Sequence, residues 1–358
     1  MIDSKHLQLI LAIHQCGSLS KASQKLNLTQ SALSHQLKNL EESLGVALFH
    51  RVGNQLFFTE AGKEFKDKGA KIAKELNALE QRIQEIKESQ LKRYIHGYSE
   101  TEAQRLSNQA NSIAEYLHFD SVWQPGSTIL EVGCGVGAQT VIIADKNPDC
   151  KIVSIDISKK SIAQAQQKVQ EAGMTNVEFR LQDVNELIKG KKEIYDHVFI
   201  CFVLEHISEP QQVLQNLKSI IKPGGTITVI EGDHGSTFFY PENDFARKVI
   251  DAQVKLQQGK GGNANIGREV YPLLSKAGFQ EIVVSPRQIY VDGTRPALVD
   301  GFIKNTFTAM MQGMSETVLK EGLVSKSDYD LGIEGLLRTA EADGVFSYTF
   351  FKGIGVNL

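Results

Sequence analysis

The sequence predicts an α/β protein in which a small helical domain with a two-stranded wing precedes a doubly wound parallel sheet. After residue 125, five short apolar runs alternate with segments long enough for crossover helices. The first run, residues 128–132, leads directly into a turn with Gly133, Gly135 and Gly137. Glycines at this spacing let the backbone turn tightly and approach a nucleotide-like ligand. A ligand site is therefore expected at this turn.

Length and composition fit two globular domains. The chain has 358 residues, of which 41% are hydrophobic, so each domain can bury its own core. The apolar run of residues 7–13 is too short and too interrupted for a membrane span or a secretory signal, and we expect a cytoplasmic protein. The four cysteines lack metal-ligand spacing and resemble reduced intracellular thiols, which predicts no structural metal.

Residues 1–90 are mildly basic, with 12 Lys and Arg against 10 Asp and Glu, although the whole chain has a net charge of −3. This balance permits nucleic-acid binding without proving it. Residues 18–45 predict two helices around a tight turn, capped by Ser18 and Thr29. Leucines at core spacing define the buried face of the second helix. The residues expected to contact DNA from its start and its opposite face are Thr29, Gln30, Ser31, Ser34, His35 and Lys38.

A two-stranded wing is predicted next, from residues 48–51 and 56–59 around a turn at Gly53 and Asn54. Arg51 is the cation expected to contact DNA there. Helix-turn-helix geometry alone also fits a generic helical hairpin with a solvated polar face. The segment also contains Ala22, Leu26, residues 29–34, Leu40-Glu41, Leu44-Gly45, Leu48-Phe49, Arg51 and residues 59–62. In these residues it resembles the winged helix of LysR-type transcription regulators. In residues 5–7, 16–19 and 31–36 it is most similar to the methionine-biosynthesis regulators of that family.

This resemblance implies a winged helix-turn-helix DNA-binding domain at residues 1–60 that binds double-stranded operator DNA. Wings of the family usually carry several basic residues after the position of Arg51, whereas residues 52–55 of this chain carry none. We therefore expect weaker and less salt-sensitive DNA binding than in a typical relative.

Residues 61–90 predict a linker helix. They contain no proline, and from Ile72 the apolar positions Leu76, Leu79, Ile83 and Ile86 follow at intervals of four and three, the spacing of a coiled-coil seam. The alternative is one amphipathic helix packed on its own domain. Because LysR-type proteins pair through this helix, the resemblance implies a homodimer.

Residues 91–358 predict the second domain, a doubly wound, seven-stranded Rossmann-like sheet. Two further runs, 280–284 and 346–351, are expected to close one edge of the sheet, the last as an antiparallel strand. Helical insertions are expected near 241–277 and 296–341, and the Phe and Met residues of the second are either a lid over an apolar substrate or plain core. The five central strands are predicted at 128–132, 151–155, 177–181, 197–201 and 226–231.

The carboxyl ends of these strands carry the candidate site. Asp156 follows Gly135 by 21 residues, where a carboxylate accepts hydrogen bonds from ribose hydroxyls. The glycine turn alone leaves NAD(P) open as a cofactor. Glu131, just ahead of the turn, argues against a pyrophosphate and suits a cationic ligand, and Asp183 is placed to accept from an adenine amino group.

These residues, together with Leu204-Glu205-His206 and residues 222–225, resemble the class I S-adenosylmethionine-dependent methyltransferases acting on small molecules. The resemblance implies S-adenosyl-L-methionine as cofactor and a small-molecule methyl acceptor. The implied cofactor contacts are Tyr98, Glu131, Gly133, Gly135, Gly137, Asp156, Ile157, Asp183, Val184 and Cys201.

The candidate catalytic bases are His206 and His234, which follow the fourth and fifth predicted strands. Glu205, Glu231 and Asp233 compete for that role, and each of these residues is equally well explained as a loop or cap residue. DNA methylation is disfavoured, because the segment after the fourth strand lacks the Pro-Pro motif of amino-methylating enzymes and no Cys follows a Pro.

Two functions remain from the sequence. The first is a DNA-binding regulator fused to an active small-molecule methyltransferase. The second is a regulator whose methyltransferase fold senses S-adenosylmethionine or a metabolite without turnover.

Overall fold

The computed structural model describes residues 2–52, 55–91, 100–187 and 195–358. The chain divides into two compact units, Met1–Gln90 and Leu91–Leu358. In the described ranges, no helix is long and apolar enough to cross a membrane. The first unit contains the helices α1 (Ser4–Cys16), α2 (Leu19–Lys25), α3 (Gln30–Leu44) and α4 (Glu60–Leu91), and the strands β1 (Phe49–Val52) and β2 (Gln55–Phe58).

Helices α2 and α3 begin at the caps expected from the sequence. The Ser18 hydroxyl accepts from the Lys21 N–H at 3.3 Å, and the Thr29 hydroxyl accepts from the Ala32 N–H at 3.2 Å. Each side chain satisfies one of the amides left unpaired at a helix start. The buried stripe Leu33, Leu37 and Leu40 holds α3 in a common core with α1 and α2.

The wing is fixed to α3 by Glu41. Its carboxylate accepts from the backbone N–H groups of Leu48 at 2.7 Å and Phe49 at 3.1 Å. Strands β1 and β2 then pair antiparallel. The turn expected at residues 53 and 54 lies outside the described residues. Gly62, in the first turn of α4, has no room for a side chain, because a Cβ there would lie 2.0 Å from the Leu48 carbonyl oxygen.

Helix α4 leaves its expected seam uncovered within its own unit. Ile72, Leu76 and Leu79 are 53%, 38% and 56% exposed. One helix packed on its own domain would bury such a stripe. The described part of the seam is therefore available to another surface.

The second unit contains ten α-helices within its described part, a π-helix at Val299–Thr308, and 3-10 turns at Leu204–His206 and Ile266–Glu269. The α-helices are α5 (Glu100–His118), α6 (Ala138–Lys146), α7 (Lys159–Glu171), α8 (Pro210–Lys218), α9 (Asp244–Gly259), α10 (Val270–Lys276), α11 (Pro296–Leu298), α12 (Ala309–Gly313), α13 (Ser315–Lys320) and α14 (Lys326–Arg338). The strands are β3 (Thr128–Val132), β4 (Lys151–Asp156), β5 (Val177–Leu181), β6 (Tyr195–Cys201), β7 (Ile221–Tyr240), β8 (Gln280–Asp292) and β9 (Val345–Val356).

The seven strands form one sheet in the order β5-β4-β3-β6-β7-β9-β8. Strands β3 to β7 pair in parallel, and β9 pairs antiparallel with both β7 and β8. Consecutive residues such as Ile129 and Leu130 enter the cores on opposite faces of the sheet, so helices cover both faces. The predicted doubly wound sheet and its antiparallel last strand are confirmed.

Three strands are longer in the structure than the sequence predicts. The fifth central strand, expected to end at residue 231, continues to Tyr240, and β8 and β9 extend to Asp292 and Val356. Pairing between these long strands keeps the backbone of β7 extended after its parallel partner β6 has ended. A register shift between Asp233 and Phe238 interrupts the β7–β9 ladder. This extension carries β7 residues 231–234 beyond the parallel sheet.

Candidate functional site

The glycine turn after β3 is tied to the neighbouring strand β4. The N–H groups of Gly133 and Cys134 donate to the Ile155 carbonyl oxygen at 2.8 and 3.0 Å. The Gly135 N–H donates to the Asp156 carboxylate at 2.8 Å. Gly133, Gly135 and Gly137 have φ angles of 71°, 52° and 77°, in the left-handed region that favours glycine. Their conformation is therefore fixed by the strand beside them.

The three glycines meet different surroundings. A Cβ at Gly133 would lie 2.6 Å from Val203, and one at Gly137 would lie 2.9 Å from Ala165. A Cβ at Gly135 would meet nothing within 4 Å. The first and third glycines thus allow close packing, whereas the second borders open space where backbone can lie against a ligand.

Asp156 is held rigidly at the end of β4. One carboxylate oxygen accepts from Gly135 and the other accepts from the Ser158 N–H at 2.8 Å. Burial raises the pKa of Asp156, while these backbone donors favour its ionised form. Each oxygen retains a lone pair for a further donor, so the carboxylate suits ribose hydroxyls.

The Glu131 side chain is buried just ahead of the glycine turn. It is 2% exposed, and its Oε2 accepts from the hydroxyls of Thr140 at 2.8 Å and Ser154 at 2.6 Å. Burial, with a smaller contribution from the charge of Asp156, raises its pKa to about 7. The carboxyl therefore joins β3, β4 and α6, and its expected contact with a cofactor stays a prediction.

The remaining candidate cofactor residues lie around the same edge of the sheet. Asp183 follows β5, and its carboxylate accepts from the N–H and side-chain amide of Asn185. Ile157 is 41% exposed after β4, and Val184 packs against one core. Burial raises the pKa of the Cys201 thiol well above its usual value, so this thiol is not a nucleophile. Tyr98 lies outside the described residues.

A cavity of about 60 Å³, hereafter the β6–β7 cavity, lies beyond the carboxyl end of β6 and beside Gly232 and His234 of β7. It is bounded by α5, the turn after β6, β7, the π-helix and β9. By the same measure a single water needs roughly 10–15 Å³, so the cavity suits a small group. Its polar and aromatic lining includes Arg105, Phe202, Glu205, His206, His234, Phe302, Phe307, Tyr348 and Phe350.

His234 has one ring nitrogen fixed and the other open. Nδ1 lies 3.1 Å from the Ala264 carbonyl oxygen, which only accepts hydrogen bonds, so Nδ1 carries the proton. The Tyr348 hydroxyl lies 2.9 Å from the same nitrogen. The buried Nε2 has no hydrogen-bond partner among the described residues. Burial lowers the pKa of His234, so its neutral form, with a lone pair on Nε2, is favoured.

Two carboxyl groups, those of Glu231 and Glu205, lie near the turn after β6. Glu231 is fully buried, and one of its oxygens accepts from the N–H groups of Val203 and Leu204 at 3.0 and 2.7 Å. Burial and the charge of Glu205 raise the pKa of Glu231 well above its usual value. Glu205 itself lines the β6–β7 cavity.

His206 and Asp233 have surroundings that differ from those of His234. His206 ends the turn after β6, and its Nε2 lies 3.8 Å from Glu205. Burial lowers its pKa. The Arg268 guanidinium donates to both oxygens of Asp233, at 2.9 and 2.7 Å, so these two residues neutralise each other. Arg268 is thus paired within the domain.

Several cavity residues carried no sequence signal. Phe202 has a φ of 59°, which is rare for a side chain of this size, and it follows β6 directly. Tyr348 comes from β9, 114 residues after its partner His234. Arg105 and Gln109 come from α5 and hydrogen-bond to each other at 3.0 Å. One sequence feature is related to this contact. Gly232 leaves room for the Tyr348 hydroxyl, because a Cβ at position 232 would lie 2.4 Å from it.

The candidate DNA-contacting residues share the start and the outer face of α3. Gln30, Ser31, His35 and Lys38 are exposed and Ser34 is half-buried. Thr29 is exposed, although its hydroxyl also caps the helix. Arg51 is exposed on β1. The first unit therefore presents these side chains on its surface.

The raised pKa of Glu131 can be tested through the pH dependence of folding stability. The unfolded carboxyl ionises near 4.5, whereas the folded one keeps its proton to about 7, so folding stability falls as the pH rises between these values. Glu131→Gln does not titrate and keeps an oxygen for both hydroxyls. We expect the stability of the variant relative to wild type to increase by up to ~3 kcal/mol between pH 4 and pH 8.

Urea unfolding followed by Trp123 fluorescence measures this change, because Trp123 is the single tryptophan of the chain and lies in the second unit. A stability difference that stays constant from pH 4 to pH 8 contradicts the assignment.

Two family models match the chain. Residues 4–63 match the bacterial regulatory helix-turn-helix proteins of the lysR family, and residues 124–278 match a methyltransferase domain. These matches confirm the two resemblances found in the sequence.

Individual relatives match one segment each. The chain is 48% identical over 62 residues to the HTH-type transcriptional regulator MetR of Haemophilus influenzae, which is 17% of this chain and 20% of that protein. It is 29% identical over 197 residues to an uncharacterized 37.1 kDa protein in transposon TN4556 of Streptomyces fradiae, which is 53% of this chain and 54% of that protein.

Among solved structures, a SAM dependent methyltransferase from Aquifex aeolicus is 24% identical, with 51% of this chain and 86% of that chain covered and a TM-score of 0.36. The matches to the two curated relatives span about half of one and a fifth of the other. The chain joins a lysR-family helix-turn-helix domain to a methyltransferase domain.

Proposed function

We propose that this protein is a DNA-binding transcription regulator fused to a methyltransferase that transfers a methyl group from S-adenosylmethionine to a small-molecule acceptor. One observation carries the proposal. A glycine turn with open space at Gly135 lies at the same sheet edge as a cavity lined by His234, whose Nε2 has no hydrogen-bond partner in the part of the chain that the structure describes. This arrangement supplies a cofactor cradle and a base.

The residues at the end of β3, β4 and β5 fit the cofactor. The backbone of residues 133–137 would lie against it, the Asp156 carboxylate would accept from its ribose hydroxyls, and Asp183 would accept from its adenine amino group. When bound, S-adenosylmethionine supplies a methyl group on a positively charged sulfur. The negative charge of the Asp156 carboxylate would suit that positive charge.

His234 is the proposed base of the reaction. A nucleophile attacks in line with the bond that breaks, so positioning and exclusion of water supply most of the catalysis. An acceptor that arrives protonated must also lose a proton, and Nε2 is placed to take it. The hydrogen bond from Nδ1 to Ala264 holds the ring in the tautomer that this role needs.

The His234 side chain favours an enzyme that transfers methyl groups over a domain that only senses S-adenosylmethionine. A domain that only senses the cofactor needs the cradle at Gly135 but no base beside the acceptor. A buried ring nitrogen without a partner costs stability, and such a cost is typical of a group reserved for a ligand or a reaction.

The proposed DNA contact rests on α3 and the wing. The lysR-family match covers both, and the exposed polar face of α3 suits a major groove. The uncovered residues Ile72, Leu76 and Leu79 of α4 support a homodimer that places two such helices on adjacent half-sites.

Gly135→Ala tests the cofactor cradle. The added methyl group meets no protein atom within 4 Å, so it would occupy the open space against which the cofactor is proposed to lie. We expect at least ~10-fold weaker S-adenosylmethionine binding, equivalent to about 1.4 kcal/mol. Calorimetric titration measures the dissociation constant.

Gly173→Ala is the matched control, because Gly173 also has a positive φ, of 70°, and also has no atom within 4 Å of the added Cβ. Its backbone strain is comparable, but it lies in the turn after α7. Equal binding losses in the two variants would mean that strain, rather than the cradle, is being measured.

His234→Asn tests the base. The Asn amide can still donate to the Ala264 carbonyl oxygen, but the nitrogen that accepts the proton is gone. We expect kcat to fall by roughly 10²–10⁴ with little change in S-adenosylmethionine affinity. His197→Asn is the control, because His197 lies on β6 outside the cavity lining and pairs with Thr226. A His234→Asn enzyme with wild-type kcat would refute the assignment.

Leu79→Glu tests the dimer. A carboxylate in the centre of the proposed seam would be buried in the paired state, so we expect monomers with weakened operator binding. Sedimentation velocity gives the mass, and a mobility shift with operator DNA gives the affinity. Ala78→Glu adds the same charge at the exposed neighbouring position and should leave the dimer intact. A dimeric Leu79→Glu protein would exclude pairing through this seam.

A further inference from the structure

We propose that the β6–β7 cavity binds a small cationic amine through the Glu205 carboxylate and the surrounding aromatic rings, and that the methyl group is transferred to its nitrogen. This inference rests on the proposed methyl transfer and specifies the chemical class of its acceptor. Three features of the cavity support it: the charge balance, the aromatic wall and the open acceptor on His234.

Glu205 contributes a negative charge that is not neutralised by a cationic side chain. Its Oε2 accepts from the Gln257 amide at 3.0 Å, and that amide also holds the Glu205 carbonyl oxygen at 3.0 Å. Within the described residues, no Lys or Arg forms an ion pair with Glu205. The nearest cavity cation, Arg105, is engaged by both carboxylate oxygens of Glu102 at 2.8 and 2.7 Å. A ligand cation would provide the missing positive charge.

Aromatic rings line the same cavity as this carboxylate. The ring centroids of Tyr348 and Phe350 lie 4.7 Å apart, and Phe202 lies 5.3 Å from Phe350. Phe302 is 6.1 Å from both Tyr348 and Phe350. Aromatic faces attract alkylated ammonium groups, and the attraction strengthens when water is excluded. A carboxylate within an aromatic wall is the combination that binds a cation with an apolar surface.

Phe202 is held in this wall at an energetic cost. Its φ of 59° places a bulky residue in the left-handed region, where a side chain is disfavoured by roughly 1–2 kcal/mol. Strained residues of this kind cluster at ligand sites, because the surrounding structure must hold them in place. The conformation turns the chain sharply between β6 and the 3-10 turn that carries Glu205. Phe202 and Glu205 therefore reach the same cavity.

His234 adds an acceptor that an ammonium N–H satisfies. The proton passes from the bound ammonium nitrogen to Nε2, which frees the nitrogen lone pair. That lone pair forms the bond to the methyl carbon while the carbon–sulfur bond breaks and its electron pair stays on sulfur. The product leaves as an alkylated ammonium ion, and the proton on Nε2 passes to water.

Oxygen and sulfur acceptors fit the charge balance less well. A phenol or a thiol becomes an anion when it loses its proton, and the half-buried Glu205 carboxylate would repel that anion. An amine carries positive charge before the proton transfer and again after methylation. The charge of the cavity therefore favours both the ammonium form of the substrate and the alkylated ammonium product.

Binding of tetramethylammonium to the full-length protein tests the inference. Its neutral comparison is tert-butanol, which has the same number of non-hydrogen atoms and nearly the same shape. We expect calorimetry to show at least ~10-fold tighter binding of the cation. Glu205→Gln should reduce this preference to less than about threefold, because the amide keeps the shape without the charge.

Glu209→Gln is the matched control, since it removes an exposed carboxylate four residues away and should leave the preference intact. Phe202→Leu provides a second variant, which should weaken cation binding roughly 3- to 10-fold with little effect on tert-butanol. Equal affinity of wild type for the two probes overturns the inference, as does a cation preference that survives Glu205→Gln.

Titration of S-adenosylmethionine into the same preparation distinguishes failure of the amine-acceptor inference from failure of the proposed methyl-transfer function. If S-adenosylmethionine binds but the cation shows no preference, the amine acceptor is wrong and the proposed methyl transfer stands. If S-adenosylmethionine does not bind, the proposed function itself fails, whatever the cation does.

Discussion

The hydrogen bond from the Gly135 N–H to the Asp156 carboxylate is the contact on which the site depends. It ties the turn after β3 to the end of β4, and Asp156 is in turn fixed by the Ser158 N–H. The turn can then run in the left-handed conformation with its second glycine facing open space. Without this bond the glycines would be flexible, and ordering them would reduce the affinity for any ligand. Rigidity here comes from backbone donors and not from a large apolar contact.

The site is divided between two parts of the sheet. Strands β3, β4 and β5 carry the polar residues of the proposed cofactor site, whereas β6, β7 and β9 border a cavity with aromatic walls. The division follows from strand pairing, because the antiparallel pairing of β7 with β9 extends both strands beyond the parallel sheet. That extension brings Tyr348 beside His234. In the proposed reaction, this sheet edge would hold the cofactor and the acceptor together.

The sequence predicts the features that local chemistry decides. Caps at Ser18 and Thr29, the glycine turn and the approximate positions of the five central strands along the chain follow from residue type and spacing alone, and the structure contains them. It does not predict features that depend on distant parts of the chain. The hydrogen bond from Ser154 to Glu131 depends on the pairing of β3 with β4, and the left-handed conformation of Phe202 occurs at a residue that is not glycine. The expected contact of Glu131 with a ligand stays a prediction. The lengths of β7 and β9 depend on their mutual pairing, which neither segment encodes by itself.

The state of the His234 ring is the most direct test of methyl transfer at this site. Nitrogen-15 NMR of the ring nitrogens, assigned by the signals lost in His234→Asn, reports which nitrogen carries the proton. At pH 7 a protonated Nδ1 and a bare Nε2 are predicted, since Nδ1 donates to Ala264 and burial lowers the pKa of the imidazole. A proton on Nε2, in either the other tautomer or the imidazolium ion, would contradict the proposal that His234 acts as the base through Nε2.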